Sequence, residues 1–599
     1  MKVKKTEAKK TEAKKTETKK QKIASQPPKS FNRLFLLAII IITAVIYMKS
    51  LSNQFITTWD DHGYITENND IKTLHGDSIS YTLKKTFSSN ILGNYQPLTM
   101  LSYCVEYSKY KLNPKPYHVT NLIFHIFNAI LVFCFIWLLT RQQWVAFITA
   151  LLFAVHPMHV ESVSWVSERK DVLYAFFYLA SLCMYIYYLK NEKWKWHFYA
   201  LTFVLFVLGL LSKAMTVSVP ITFFALDYFM SRKITSKSVL EKVPFILMSM
   251  IFGVIAIGAQ KSANALEGIA NHGFAERVLF SFYGVMTYLW KLAVPLNLSC
   301  FYNYPVKQNG AYPIVFYIAP LVVMGLVFLI YKSIRFGKDV AFGFGFFFIT
   351  IALVLQILPV GDAIIADRYT YLPYIGIFFI IARWINNLWE NKSEKYQFLR
   401  TISLAGIVVF TIICSYLTVK QSKTWYDSIS LWGNAIEQFD AAPKSFNNRG
   451  LAYYQSKQYD KALADFNRTI QLEDTYPDIY YNRGVVNFDL KKYDEALKDY
   501  DSALKNNPKF AKAYNNRGNV YHLLGKYNEA INDYSSAINY NSTFGKAYCD
   551  RAGTYFTIQK FQTAMDDVLK AQQFGYYVDP RFIEAIQDGI KKTSQKPIN

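Results

Sequence analysis

The sequence predicts an all-α chain in two parts: a polytopic membrane domain of about eleven spans, then a helical-repeat solenoid. Three observations carry this. Of 599 residues, 52% are hydrophobic and 18% charged, against about 25% charged in an average soluble domain. The apolar excess is gathered into runs between residues 33 and 419, several near the ~20 residues that a helix needs to cross a bilayer. Residues 440–577 are polar and repeat every 34 positions. This pattern excludes a wholly soluble protein, a disordered chain, a collagen and a disulfide-knotted miniprotein.

The formal net charge of +23 first points to nucleic acid, but its distribution points elsewhere. Residues 1–30 hold eleven Lys and three Glu in an echoing KKTEA pattern that ends in Gln26, Pro27 and Pro28. Such a stretch cannot bury a core and is expected to be a disordered basic tail. Much of the remaining excess lies in short loops between apolar runs, the arrangement of a membrane protein with basic cytoplasmic loops. Nucleic acid is therefore set aside as a partner. The six cysteines form no CxxC and no metal-ligand spacing. The first apolar run, Phe35–Tyr47, has no A-x-A-like cleavage signal and reads as an uncleaved signal-anchor.

Residues 31–420 form the expected membrane domain. Its spans are read as roughly 31–49, 118–140, 143–157, 171–190, 196–213, 214–230, 243–260, 312–331, 340–359, 369–387 and 400–419. These are helices, because backbone in lipid must satisfy its own hydrogen bonds. Basic residues place the amino terminus and several loops on the cytoplasmic side: Arg141, Lys190 to Lys195, Arg232 to Lys242, Lys332 to Lys338, and Lys392 to Arg400. Alternation satisfies all of them only if the further apolar segment 277–294 does not cross. That segment is expected to be interfacial or re-entrant on the outer side. Residues 50–117, 156–170 and 359–368 then share the outer side, together with everything after 420.

Residues 421–580 form the expected solenoid, followed by a tail over 581–599. Arg449-Gly450, Arg483-Gly484 and Arg517-Gly518 are in register, and Arg551-Ala552 follows. Tyr459, Tyr493, Tyr527 and Phe561 align, as do Ala462, Ala496, Ala530 and Ala564, and Asp465, Asp499, Asp533 and Asp567. A 34-residue period with small residues at these slots is the tetratricopeptide pattern. Three full repeats, a partial fourth and an opening half-repeat over Trp425–Phe439 are expected. Such a stack offers a concave groove for a peptide or partner protein, or serves as structure alone.

Most of the unusual polar chemistry falls on the outer side. Asp60 and Asp61 follow the first span; an ionised carboxylate there can act as a general base, or the pair can be a solvated turn. His118, Asn121 and His125 share one helix face and either line a cavity or tie helices together. His156, His159 and Glu161 hint at zinc, but the order is not HExxH. Arg169 and Lys170 at a helix start suit a phosphate clamp. Lys213, Asp367, Arg368 and Tyr369 add polar and charged groups at the same depth.

These residues carry a family resemblance. The chain resembles the transmembrane and tetratricopeptide-repeat O-mannosyltransferases, glycosyltransferases of the GT-C fold, and is similar to their bacterial relatives. The matching stretches are Tyr95–Thr99 (YQPLT), Tyr117–His125 (YHVTNLIFH), His156–Asp171 (HPMHVESVSWVSERKD), Leu211–Lys213 with Leu226–Tyr228, Ala366–Pro373 (ADRYTYLP) and Thr424–Ser428 (TWYDS). They run in the same order over residues 50 to 577. Gln96 stands where many relatives have Arg or His, and Ala214 where an acidic residue or Pro is common. The resemblance implies a polyprenyl-phosphate hexose donor, with mannose the leading sugar, and a Ser or Thr acceptor on an exported protein recruited by the repeats. It implies catalysis by Asp60 with Asp61 in support. Arg169, Lys170, Lys213 and Arg368 would hold the donor phosphate. His118, Asn121, His125, His156, His159, Glu161, Asp367 and Tyr369 would line the cavity. A monophosphate donor calls for no metal and no cofactor. In a bacterium the outer side is the periplasmic face of the inner membrane. The alternatives are a non-catalytic membrane scaffold and a carrier of lipid-linked sugar.

Overall fold

The structure, a computed structural model, describes residues 32–74, 79–263, 272–335, 337–357, 361, 363–439 and 442–594. The tail expected over 1–30 lies outside the described residues, as do the last five residues of the chain. Among the described residues there are helices and no named strand, with isolated bridges such as Asn303 opposite Ala363. The chain forms two units: Met1–Ile56 with Asp60–Tyr426, and Thr57–Trp59 with Asp427–Asn599. The boundary thus falls after Tyr426 rather than at 420.

In the first unit, seven helices among the described residues are long and apolar enough to cross a bilayer. They are Arg33–Ser52, Pro114–Thr140, Val166–Lys190, Lys195–Ser212, Ser236–Ser262, Ile314–Ser333 and Glu394–Thr424. An eighth arises if Gln143–Val155 and Pro157–Ser164 count as one span bent by 58°. The break falls at His156-Pro157, where a proline has no N–H to continue the ladder. The chain is therefore a multi-pass membrane protein, with fewer unambiguous spans than the eleven expected. Ala214–Phe229, Asp339–Val354 and Tyr374–Glu390 are helical but shorter. The helix Phe274–Ala293 is amphipathic, with Glu276, Arg277 and Lys291 along it, and is absent from the apolar set.

Local sequence explains the helix ends. Asn113 accepts from the Lys115 N–H at 3.2 Å, with Pro114 at the first helical position, where its missing donor costs nothing. Asn32 caps the first span through the Leu34 N–H at 3.0 Å. The Val166–Lys190 helix is the most enclosed span, 72% of its apolar window being buried, whereas Glu394–Thr424 is 17% buried. The motif-bearing helix therefore sits inside the bundle. Asp339–Ile351 and Tyr374–Glu390 meet backbone to backbone: a Cβ on Gly376 would fall on the Gly343 carbonyl. Small residues permit such approaches between membrane helices.

The second unit holds four complete helix pairs, so the fourth repeat is full rather than partial: Pro443–Gln455 with Tyr459–Leu472, Pro477–Asp489 with Tyr493–Asn506, Ala511–Leu523 with Tyr527–Tyr540, and Gly545–Thr557 with Phe561–Gln573. A Cβ on Gly450, Gly484 or Gly518 would come within 2.9 Å or less of the ring of Phe466, Tyr500 or Tyr534, sixteen residues on. In the fourth repeat Ala552 replaces the glycine, and the residue sixteen on is the smaller Val568 in the same buried cluster. Size is exchanged across the pair, which keeps the packing density. The same spacing joins Arg449 to Asp465 (2.8 Å), Arg483 to Asp499 (2.5 Å), Arg517 to Asp533 (2.7 Å) and Arg551 to Asp567 (2.8 Å). Ser428–Gln438 opens the stack, capped by Asp427 on the Ser430 N–H at 2.7 Å. Thr57–Trp59 belong here too: Thr58 Oγ1 accepts from Trp432 Nε1 at 2.9 Å. Most of the expected tail is a helix, Pro580–Ser594, whose Ile586 joins the last cluster with Phe582, Ile583 and Ile590 beside it. Its apolar stripe closes a repeat that would otherwise end on an open face.

Candidate active site

The site lies in the first unit, where the three stretches assigned to the outer side meet. Asp61 is fully buried and accepts three bonds: from the Ile56 N–H at 2.7 Å, the Ser167 N–H at 3.0 Å and the Ser167 hydroxyl. It fastens the first loop to the turn that begins the motif-bearing helix. Burial lifts its carboxyl to about 6, against those three donors, with the neighbouring Asp60 charge adding to the rise. An acid so committed positions the loop. Asp60, beside it, is partly exposed and lies within electrostatic reach of Lys170 and Tyr64. Tyr64 is buried, which raises its phenol to about 12, and Lys170 Nζ stands 5.0 Å over its ring.

Glu168 is the hub of the charged cluster. Its carboxylate lies 3.1 Å from Lys170 Nζ, 3.3 Å from Arg368 Nε and 3.7 Å from Lys213 Nζ. Lys213 also pairs with Asp171, and Arg368 with Glu161. The Arg368 N–H donates to Glu161 as well, at 2.9 Å, so this carboxylate fixes both backbone and side chain of the 367–370 turn. Trp165 offers its ring to Lys170 and Arg368 at 5.9 and 5.7 Å. Three cations are thus held against three carboxylates in a space shielded from water. Lys213 and Arg368 keep 19% and 16% of their side chains exposed. A charge that is paired yet reachable can turn to an incoming anion at low reorganisation cost.

Several expected roles change. Arg169 is buried completely, and its guanidinium is taken up by Asn121 Oδ1, Ser102 Oγ (3.2 Å), Glu106 (3.1 Å) and the Tyr117 carbonyl (2.9 Å). It joins three helices, with four of its five N–H groups taken by protein acceptors. The residues expected to line a cavity are mostly staples. Asn121 Nδ2 donates to the Trp165 carbonyl at 3.0 Å. His125 bonds the Tyr371 hydroxyl at 2.8 Å and the Ala154 carbonyl at 3.2 Å. His156 bonds the Leu292 carbonyl at 3.0 Å, and His159 the Phe153 carbonyl at 2.8 Å. His118 is buried beside them. The physical reason is depth: polar groups in a bundle must find partners, and the nearest are carbonyls freed at helix breaks. His156, His159 and Glu161 therefore serve separate partners and do not converge as metal ligands. Asp367 is buried, accepts from the Tyr302 hydroxyl at 2.8 Å, and burial raises it to about 6. Tyr369 stays half-exposed under the Arg368 guanidinium, 5.0 Å from its ring centre.

Sequence reasoning passed over Glu168, Asp171, Glu106 and Tyr64 as site residues. The first two stand in the SERKD run, where alternating charge at a helix start was the available signal. Glu106 and Tyr64 have no local signal; their partners lie 63 and 106 positions away.

Models of the tetratricopeptide repeat match residues 477–510 and 511–544, and a TPR-repeat model matches 450–491. Among curated proteins, the chain is 24% identical to protein O-mannosyl-transferase F38B6.6 of Caenorhabditis elegans, over 69% of this chain and 59% of that one. It is 32% identical to mouse protein O-mannosyl-transferase TMTC3 over 24% of the chain and 16% of the relative. Human protein O-mannosyl-transferase TMTC2 is 31% identical over 24% of the chain and 17% of the relative. The chain thus spans less than two thirds of these relatives. Among solved structures, MamA is similar with 22% identity over 24% of this chain and 86% of its own, TM-score 0.23. YrrB, a TPR protein, is similar with 17% identity over 34% and 95%, TM-score 0.23. This chain is a homologue of the protein O-mannosyl-transferases and carries a carboxy-terminal tetratricopeptide-repeat region.

Proposed function

We propose that the chain is an integral-membrane, inverting glycosyltransferase of the GT-C kind. It moves a hexose, mannose by family resemblance, from a polyprenyl-phosphate donor to Ser or Thr hydroxyls of exported proteins. The observation that carries this reading is the cluster of Lys170, Lys213 and Arg368 around Glu168, within electrostatic reach of the partly exposed Asp60. Asp60 takes the proton of the acceptor hydroxyl. The oxygen attacks the anomeric carbon, the bond from that carbon to the phosphate oxygen breaks, and polyprenyl phosphate leaves. Lys213 and Arg368, with Lys170 behind them, meet the negative charge that grows on the departing phosphate. One such contact is worth about 100–1,000-fold in rate. Asp61 and Arg169 hold the frame in which these groups face one another.

The proposal includes the eleven-span topology, with the Phe274–Ala293 helix on the outer side and the repeats outside the cytoplasm. There the repeats capture the acceptor and raise its local concentration. Comparing exported glycoproteins from cells carrying wild type, Asp60→Asn or Lys213→Ala tests this. Loss of hexose on Ser and Thr at equal protein abundance in both variants supports the reading. An unchanged glycan profile in both sinks it.

A further inference from the structure

The chain leaves the first unit at Ile56, spends Thr57–Trp59 in the second, and returns at Asp60. The excursion is closed at its base inside the first unit, where the Asp61 carboxylate accepts from the Ile56 N–H, five positions back, at 2.7 Å. Its tip is held by the opening helices of the repeats. Thr58 Oγ1 accepts from Trp432 Nε1 at 2.9 Å, and the Thr58 N–H donates to Ser428 Oγ at 3.4 Å. The Thr57 hydroxyl donates to Gln455 Oε1 at 2.7 Å. The Trp59 ring lies 5.1 Å from that of Trp432, tilted by 43°. Trp432 is fully buried on the Ser428–Gln438 helix, so the grip stands on a packed side chain.

From this we infer that Thr58 and Trp432 are positioning residues for Asp60, so that the repeats help to aim the base as well as to hold the acceptor. The inference rests on the reading of Asp60 as that base. Asp60 follows directly on Trp59, packed against Trp432, and precedes Asp61, fixed by three donors. A partly exposed carboxylate such as Asp60 owes its aim to its backbone. A short segment pinned at its base and at its tip leaves that backbone little freedom. A displacement of about 1 Å in a reacting group can cost about 100-fold in rate. Gln455 ends the first helix of the first repeat, and each repeat touches only its neighbours. A change in the packing of that repeat thus reaches the base through three residues of chain.

The test uses the full chain in nanodiscs, with polyprenyl-phosphate mannose and a Ser/Thr peptide. Thr58→Val keeps the shape of the side chain and removes the acceptor of the Trp432 N–H. It should lower kcat about tenfold while the donor KM stays within about twofold. Thr58→Ser keeps the hydroxyl and should restore kcat. Trp432→Phe keeps an aromatic ring, drops the N–H and should match Thr58→Val. Hydrogen exchange over residues 57–66, read on the same samples, should quicken about tenfold in Thr58→Val and stay at the wild-type rate in Thr58→Ser. An unchanged kcat, a donor KM that rises at steady kcat, or unchanged exchange in Thr58→Val overturns the inference. Transfer by the wild type beside an unaffected Thr58→Val strikes this inference alone; no transfer by the wild type strikes the transferase reading and this one with it.

Discussion

Replacing Arg169 by alanine distinguishes a phosphate-binding role from a structural one. In the structure its guanidinium serves Asn121, Ser102, Glu106 and the Tyr117 carbonyl, with the side chain wholly buried. Alanine leaves the buried Glu106 carboxylate unpaired, which costs about 3–5 kcal/mol. Asn121 Oδ1 and the Tyr117 carbonyl each lose a donor, at about 1–3 kcal/mol apiece. Against a total stability of about 5–15 kcal/mol, Arg169→Ala should stand near the edge of unfolding. The apolar pair Arg169→Met with Glu106→Leu removes both charges together, and such exchanges are about neutral or stabilising. Thermal unfolding in lipid nanodiscs, followed by tryptophan fluorescence, should show a large fall for the single variant and a partial recovery for the double, which still leaves Asn121 Oδ1 and the Tyr117 carbonyl without this donor. If Arg169→Ala melts within about 1 °C of wild type yet loses sugar transfer, Arg169 touches the donor and this reasoning fails.

Lys213→Ala should lower transfer on the order of 100-fold and also lower the melting temperature, because the buried Asp171 loses its ion-pair partner; an unchanged rate in the folded variant removes Lys213 from the phosphate site. Asp61, lifted to about 6 by burial, binds its proton in the folded state at a pH where the unfolded carboxyl has lost it. Stability from this group is therefore fullest below about pH 4 and falls as pH rises to about 6, by about 3 kcal/mol. Asp61→Asn should flatten that slope in denaturation curves taken between pH 4 and 7, and a slope of the opposite sign contradicts the burial argument. In the repeats, Gly484→Ala should destabilise by about 1–3 kcal/mol, since the new methyl meets the Tyr500 ring at 2.8 Å. Adding Tyr500→Val, which reproduces the Ala552 and Val568 pair, should restore most of the loss in the same thermal assay.

The repeats were the most legible part of the sequence. Their period, their small residues and even the Arg and Asp slots were visible, because the contacts inside each repeat recur at a fixed sixteen residues and those between repeats at about one period. What was not visible is that those Arg and Asp slots pair, since a register shows alignment and not distance. The closing helix over 580–594 was read as a tail because it stands outside the period, although its apolar residues recur at helical spacing. In the membrane unit the apolar runs located the helices. Their number as full spans was less legible, since Pro157 and the 3₁₀ turns near Lys213 and Arg368 interrupt segments of continuous hydropathy. The charged run at 168–171 announced a site. It did not say which charge faces which partner: Arg169 and Lys170 are neighbours on one helix turn, and the partners brought in by other helices, Glu106, Ser102, Asn121 and the Tyr117 carbonyl, hold Arg169 while Lys170 meets Glu168. The histidines were ambiguous for the same reason, as the carbonyls that hold them are exposed by breaks in distant helices.

The most direct test of the central claim uses purified full-length protein in nanodiscs, polyprenyl-phosphate mannose as donor, and a Ser/Thr-rich peptide from an exported protein as acceptor. Transfer is compared between wild type and Asp60→Asn, with thermal unfolding matched first. The account predicts mannose on the peptide for wild type and a loss of at least about 100-fold in the variant, at equal stability. Equal transfer by both proteins contradicts the assignment of Asp60 as the base. No transfer by either, with the peptide still bound by the repeats, contradicts the enzyme itself.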